Sequence, residues 1–127
     1  MNNFVSGLVA GLPLGALGAI YSMARYETLA AIFKEGDAEM AAMGEGPMRL
    51  MLLAMFGLGP LLLGGIAGLV FGAIDSQQTY LGLAMGIAIV ASILAVAVRT
   101  PMMGDKIVMN FAVALVLGML IPRLAGA

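Results

Sequence analysis

Few side chains in this sequence can do chemistry, and their types narrow what that chemistry is. The long apolar stretches hold no Asp, Glu, Lys, Arg or His, and the polar side chains left within them to consider are Ser6, Tyr21, Ser22, Ser92 and Asn110. Proton relays and ion-coupled pumps are built from ionisable groups inside the membrane, so coupled transport is disfavoured. General acid–base catalysis would have to draw its titratable groups from the loops, and the chain is expected not to be an enzyme. Ser92 precedes Arg99 by seven residues and Asn110 follows Lys106 by four. Both therefore lie in the same half of the bilayer, where they can bond across two helices or line a polar path. Backbone supplies the remaining candidates. Pro13 cannot donate to Val9, nor Pro60 to Phe56, so each proline frees a carbonyl and predicts a kink near mid-membrane. Interrupted helices at that depth coordinate cargo in transporters, although that pattern places one interruption in each half of the chain and here both fall in the first.

Methionine is the compositional excess. Nine of the twelve (Met23, Met40, Met43, Met48, Met51, Met55, Met102, Met103 and Met109) are expected at or near the cytoplasmic side. Thioethers suit Cu(I). Met51 and Met55 have a four-residue spacing similar to that in one span of eukaryotic-type copper transporters, a likeness covering five residues. The thiol and imidazole partners of such sites are missing, because the chain has no Cys and no His. Flexible hydrophobic filler is the expected role, and no metal or cofactor is expected.

What must position these residues is a set of membrane helices. With 62% hydrophobic residues, 10% charged residues and a mean hydropathy of +1.08, the 127-residue chain lies outside the range of soluble domains. Four spans of about 20 residues use roughly 80 positions, leaving room for one membrane domain over 1–127 and its connections. A net charge of −1 offers no footprint for nucleic acid. The loop from Arg25 to Arg49 sets three basic residues against Glu27, Glu35, Asp37, Glu39 and Glu45, the wrong sign for anionic headgroups, so membrane-surface lipid is not expected as a specific ligand. The absence of Cys leaves no clue to redox compartment.

The expected architecture is an all-α integral membrane bundle of four transmembrane helices, at about 4–22, 50–74, 79–98 and 107–123. The first lacks the basic flank of a cleaved signal peptide and is expected to stay attached. A cytoplasmic connector at about 23–48 continues helically through Tyr26, Leu29, Ala30 and Phe33, stops at Gly36, and resumes briefly after an Asp37 cap. Gly44 to Pro47 then break the pattern. A short loop from Asp75 to Gln78 predicts a tight hairpin between the second and third spans, with Tyr80 at the outer interface. The last span has 15 residues between Lys106 and Pro122, about 22 Å of helix, and needs snorkelling to cross.

Thirteen of the 18 glycines fall within these spans. Gly7, Gly11 and Gly15, then Gly64, Gly68 and Gly72, then Gly82 and Gly86, recur every four residues and so leave side-chain-free helix faces for close packing. Gly7, Gly11 and Arg25 are echoed by Gly82, Gly86 and Arg99 as a faint parallel repeat. Such a duplicated hairpin brings rotor-ring subunits to mind, but those carry an ion-binding carboxylate within a span and this chain has none. Five of the six basic residues fall on one side, which predicts both ends of the chain outside the cytoplasm and a multi-pass protein of a prokaryotic inner or plasma membrane. The expected function is glycine-mediated helix packing, as an accessory or assembly subunit of a membrane complex whose partners are lipid and other transmembrane helices. The alternative is a homo-oligomeric channel or facilitator for a small neutral solute or cation, using the Val9 and Phe56 carbonyls with Asn110.

Overall fold

A computed structural model describes residues 2–74 and 76–126. Those residues form six helices and no strand: α1 (Asn3–Ala24), α2 (Tyr26–Gly36), α3 (Ala38–Ala41), α4 (Glu45–Gly72), α5 (Gln77–Ala97) and α6 (Met103–Ala125). Four of them, α1, α4, α5 and α6, are long and apolar enough to cross a membrane, so the chain is a multi-pass membrane protein. Local chemistry sets the helix starts. The side chains of Asn2, Asp37 and Ser76 accept hydrogen bonds from first-turn amides of α1, α3 and α5. The cap at Asp37 and the stop near Gly36 are where the sequence places them. Asp75, part of the loop read from the sequence, lies outside the described residues.

Two boundaries differ from expectation. α4 begins at Glu45 and runs through Gly46 and Pro47 for 28 residues. Proline is tolerated there because a first-turn amide has no partner to lose. α6 begins at Met103 and carries Pro122 in its last turn, so its 23 residues span about 34 Å, with Lys106 and Arg123 still inside that length. Pro13 and Pro60 both sit within unbroken helical runs.

The pairing also differs from expectation. α1 lies antiparallel along α4 and α5 lies along α6, with α6 joining the two pairs by its contact with α1. α4 and α5, consecutive in the chain, meet at one end only. There Tyr80 is buried, its hydroxyl donates to the Ala67 carbonyl at 2.9 Å, and its ring meets Phe71 edge-on at 5.0 Å. Tyr80 is thus an internal wedge rather than an interfacial anchor. Beyond it the small side chains Ala84, Ala88 and Ala91 cannot bridge to α4, and the expected tight hairpin opens into a cleft.

A core of Ala10, Leu14, Tyr80, Leu117 and Ile121 joins the two pairs. A second cluster, Tyr26, Leu29, Ala30, Met48 and Leu52, seats α2 on the start of α4, with Met40, Met43, Met51 and Met102 packed around it. Flexible thioethers suit the irregular space between short helices.

Candidate functional site

The α1–α4 contact is built from absent side chains. A β-carbon on Gly7 would strike the Gly64 carbonyl oxygen, and one on Gly64 would strike the carbonyl of Gly7. On Gly11 it would lie 2.8 Å from the Pro60 oxygen, and on Gly15 2.6 Å from that of Gly57. Gly68 meets the Asn3 carbonyl, and Gly72 is covered by the Asn3 side chain. All six predicted glycines of these two helices therefore sit in one interface. Gly57, opposite Gly15, and two further glycines join them. Gly18 faces the Phe56 carbonyl, and Gly65 lies under the ring of Phe4. Carbonyl oxygens set against glycine α-carbons are the geometry of weak Cα–H···O bonds between helices.

Gly82 and Gly86 behave differently: no atom lies within 4 Å of a β-carbon built on either. They edge a shallow groove on α5 with Leu83, Ile87, Val90 and Leu94, all well exposed. The faint repeat is therefore not a repeat of packing. Its first copy is covered by α4, and its second is uncovered.

The cleft left by α4 and α5 is closed behind by α6 and has a volume of about 410 Å³. Met55, Phe56, Pro60 and Leu63 form one wall, Ala84, Ile87, Ala88 and Ala91 the second, and Met109, Asn110, Val113 and Ala114 the third. Asn110 contributes its one carboxamide, and its Nδ2 donates to Ser92 Oγ across α5 and α6 at 3.5 Å, a long bond. Phe56, Pro60, Asn110 and, through that bond, Ser92 are thus brought together. Val9 and Pro13 are not, since they lie on α1, which does not line the cleft. The carbonyl freed by Pro60 does not face the cleft either, because the Phe56 oxygen points at Gly18 of α1. Met51 and Met55 separate, one beside the Tyr26–Met48 cluster and the other on the cleft wall.

Sequence reasoning passed over a polar node at the end of α1. Tyr21 donates to Asp105 Oδ2 at 2.9 Å, Arg25 Nη2 lies 3.4 Å from the same oxygen, and Met102 Sδ is 3.9 Å from the tyrosine hydroxyl. Asp105 reads in the sequence only as a boundary charge, and its pairing across more than 80 residues has no local signal. A second node holds Arg49 against Glu45 at 2.8 Å and 4.0 Å above the Tyr26 ring. Among the described residues no three carboxylates converge as metal ligands. No family model, curated protein or solved structure matches the chain.

Proposed function

We propose that this chain is a non-enzymatic membrane protein that works by helix packing, as an accessory or assembly subunit of a larger membrane complex. The observation that carries this reading is the contrast between its glycine faces. Those of α1 and α4 are consumed within the chain, while Gly82 and Gly86 on α5 meet nothing. In lipid, helices associate through dispersion contacts and close backbone approach, and an uncovered small-residue face leaves that attraction unused. A transmembrane helix of another subunit fits it. The second reading, a homo-oligomeric channel or facilitator, is favoured by Phe56, Pro60 and Asn110 sharing one cleft. Its polar lining reduces to Asn110, since the Phe56 carbonyl faces α1.

Native mass spectrometry after mild extraction separates the two. Co-purification of one copy with unrelated subunits, lost in Gly86→Leu, supports the first reading; a closed ring of this chain alone supports the second and overturns the first.

The orientation belongs to the same proposal. The count of basic residues supports a reading in which α2 and α3 lie in the cytoplasm and both ends of the chain outside, the membrane being read as a prokaryotic inner or plasma membrane. The chain has no cysteine, so Glu39→Cys and Gln78→Cys each carry a single thiol. An impermeant reagent on intact cells is expected to label the second and spare the first; the reverse inverts the topology.

A further inference from the structure

We propose that the cleft between α4, α5 and α6 holds one acyl chain of a glycerophospholipid taken from the surrounding bilayer, with the ester carbonyl at Asn110 and the phosphate at Lys106. Four observations meet here. The lining is apolar except for Asn110, and an apolar cavity does not retain water, so hydrocarbon is what fills it. The cleft opens sideways to lipid between Met55 and Ile87, which are 47% and 61% exposed. It is short and blind. Met55 to Leu63 spans about 12 Å, and the Tyr80 bond to Ala67 joins α5 to α4 about one turn beyond Leu63 and Ala84, so a thin flexible chain fits where a helix about 10 Å across does not.

The fourth observation is a match of polarity with depth. Lys106 and Asn110 are four residues apart in α6 and so share a face, about 6 Å from one another along the axis. Lys106 is exposed, and among the described residues no carboxylate lies within salt-bridge distance of it, since the neighbouring Asp105 points to Arg25. A phosphate at the level of Lys106, an ester carbonyl one turn deeper at Asn110 and hydrocarbon beyond is the order in which a phospholipid presents these groups. Asn110 has spare capacity for that ester. Its bond to Ser92 uses one of two N–H donors, and at 3.5 Å it uses that one weakly. The acidic balance of residues 25–49 argues against headgroup recognition on that loop, and the cleft lies elsewhere, between α4, α5 and α6.

The test is a lipid titration of delipidated full-length chain in mild detergent, read by native mass spectrometry and by thermal unfolding. The probes are dioleoyl phosphatidylcholine and dioleoylglycerol, which has the esters but no phosphate. One phosphatidylcholine is expected to bind before any others and to raise the unfolding temperature. Ala91→Phe, which fills the cleft, is expected to abolish that first adduct, and Ile89→Phe, on the opposite face of α5, to keep it. Ala84→Leu, a smaller change at the other end, serves if Ala91→Phe does not fold. Asn110→Leu should bind both probes about threefold to twentyfold more weakly, the range of one hydrogen bond within a membrane protein. Lys106→Gln should weaken phosphatidylcholine alone. A cleft-filling variant that folds and still takes up one phosphatidylcholine as the wild type does overturns the proposal. So does a series of equivalent adducts with no distinct first.

Discussion

Gly7 of α1 and Gly64 of α4 oppose one another so closely that the carbonyl oxygen of each occupies the place of the other's missing β-carbon. The contact is reciprocal and antiparallel, and it recurs one turn on as Gly11 against Pro60 and two turns on as Gly15 against Gly57. Backbone meets backbone along most of the pair. Since lipid removes the hydrophobic drive for helices to associate, this approach distance is what sets the strength of the α1–α4 pair.

Gly68→Leu is therefore expected to separate α1 from α4, because any side chain there meets the Asn3 carbonyl and the Gly7 α-carbon. Overpacking costs about 1–3 kcal/mol when side chains can yield, and backbone cannot yield as they do. Leu62→Ala and Val70→Ala, on exposed positions of the same helix, should be milder. Gly59→Ala is the matched control: nothing lies within 4 Å, so it should be neutral or stabilise by about 0.5–1 kcal/mol through helix propensity. Thermal unfolding in detergent decides, and a Gly68→Leu melt equal to wild type removes the interface from the account.

Arg99 is held at φ 52, in the left-handed region, and terminates α5. Its amide bonds Val96 and that of Thr100 bonds Ala95, the paired bonds of a Schellman ending whose left-handed position favours glycine. Arg99→Gly should therefore stabilise the fold by about 1–2 kcal/mol. Arg99→Ala loses the charge without relieving the backbone, and so should not. Equal unfolding temperatures for the two variants would assign any gain to charge.

How much of this was legible in the sequence depends on the range of the interaction. Helix existence, the Asp37 cap and the glycine spacing are local properties, and composition places the four spans. Which glycine face meets which is not local. Gly7 and Gly82 stand in the same sequence pattern, yet one is buried against α4 and the other open. The cleft leaves no trace in any periodicity, because it results from Tyr80 wedging one end of α4 and α5 while alanines leave the rest unfilled. The short loop between those helices suggested a hairpin. Connection length limits how far apart two helices can be and does not supply the contacts that hold them together.

Asp105 accepts from Tyr21 and pairs with Arg25, so the three side chains should differ in a fixed order when removed. Asp105→Ala leaves the partly buried Tyr21 hydroxyl without its acceptor and should cost about 1–3 kcal/mol. Tyr21→Phe removes the donor but leaves Asp105 its arginine, and should cost about 0.5–1.5 kcal/mol. Arg25→Ala breaks an ion pair whose arginine side chain is 53% exposed, worth at most about 1 kcal/mol and less in high salt. Unfolding of the three variants and of the Tyr21→Phe, Asp105→Ala double variant gives the coupling directly. If Arg25→Ala is the most damaging, the node is electrostatic and the tyrosine incidental.

Tyr80 separates two ways in which a buried side chain can join α4 to α5. Its hydroxyl donates to a carbonyl of α4, and its ring fills the space beside Phe71. Tyr80→Phe removes the first and keeps the second. Hydrogen bonds within membrane proteins are worth about 0.6 kcal/mol on average and up to about 1.7, because the partners find others in the unfolded state. The helical carbonyl of Ala67 is also within reach of its own intrahelical donor, which places Tyr80→Phe near the lower figure. Tyr80→Ala removes both bond and ring from a residue only 4% exposed, and truncation of a buried aromatic costs about 3–5 kcal/mol. The ring is thus expected to account for most of the contact. Tyr80→Ala should also open the blind end of the cleft, so phosphatidylcholine should bind it less selectively than it binds Tyr80→Phe. If Tyr80→Phe unfolds as readily as Tyr80→Ala, the hydrogen bond rather than the wedge holds α4 to α5, and the cleft owes its shape to a single hydroxyl.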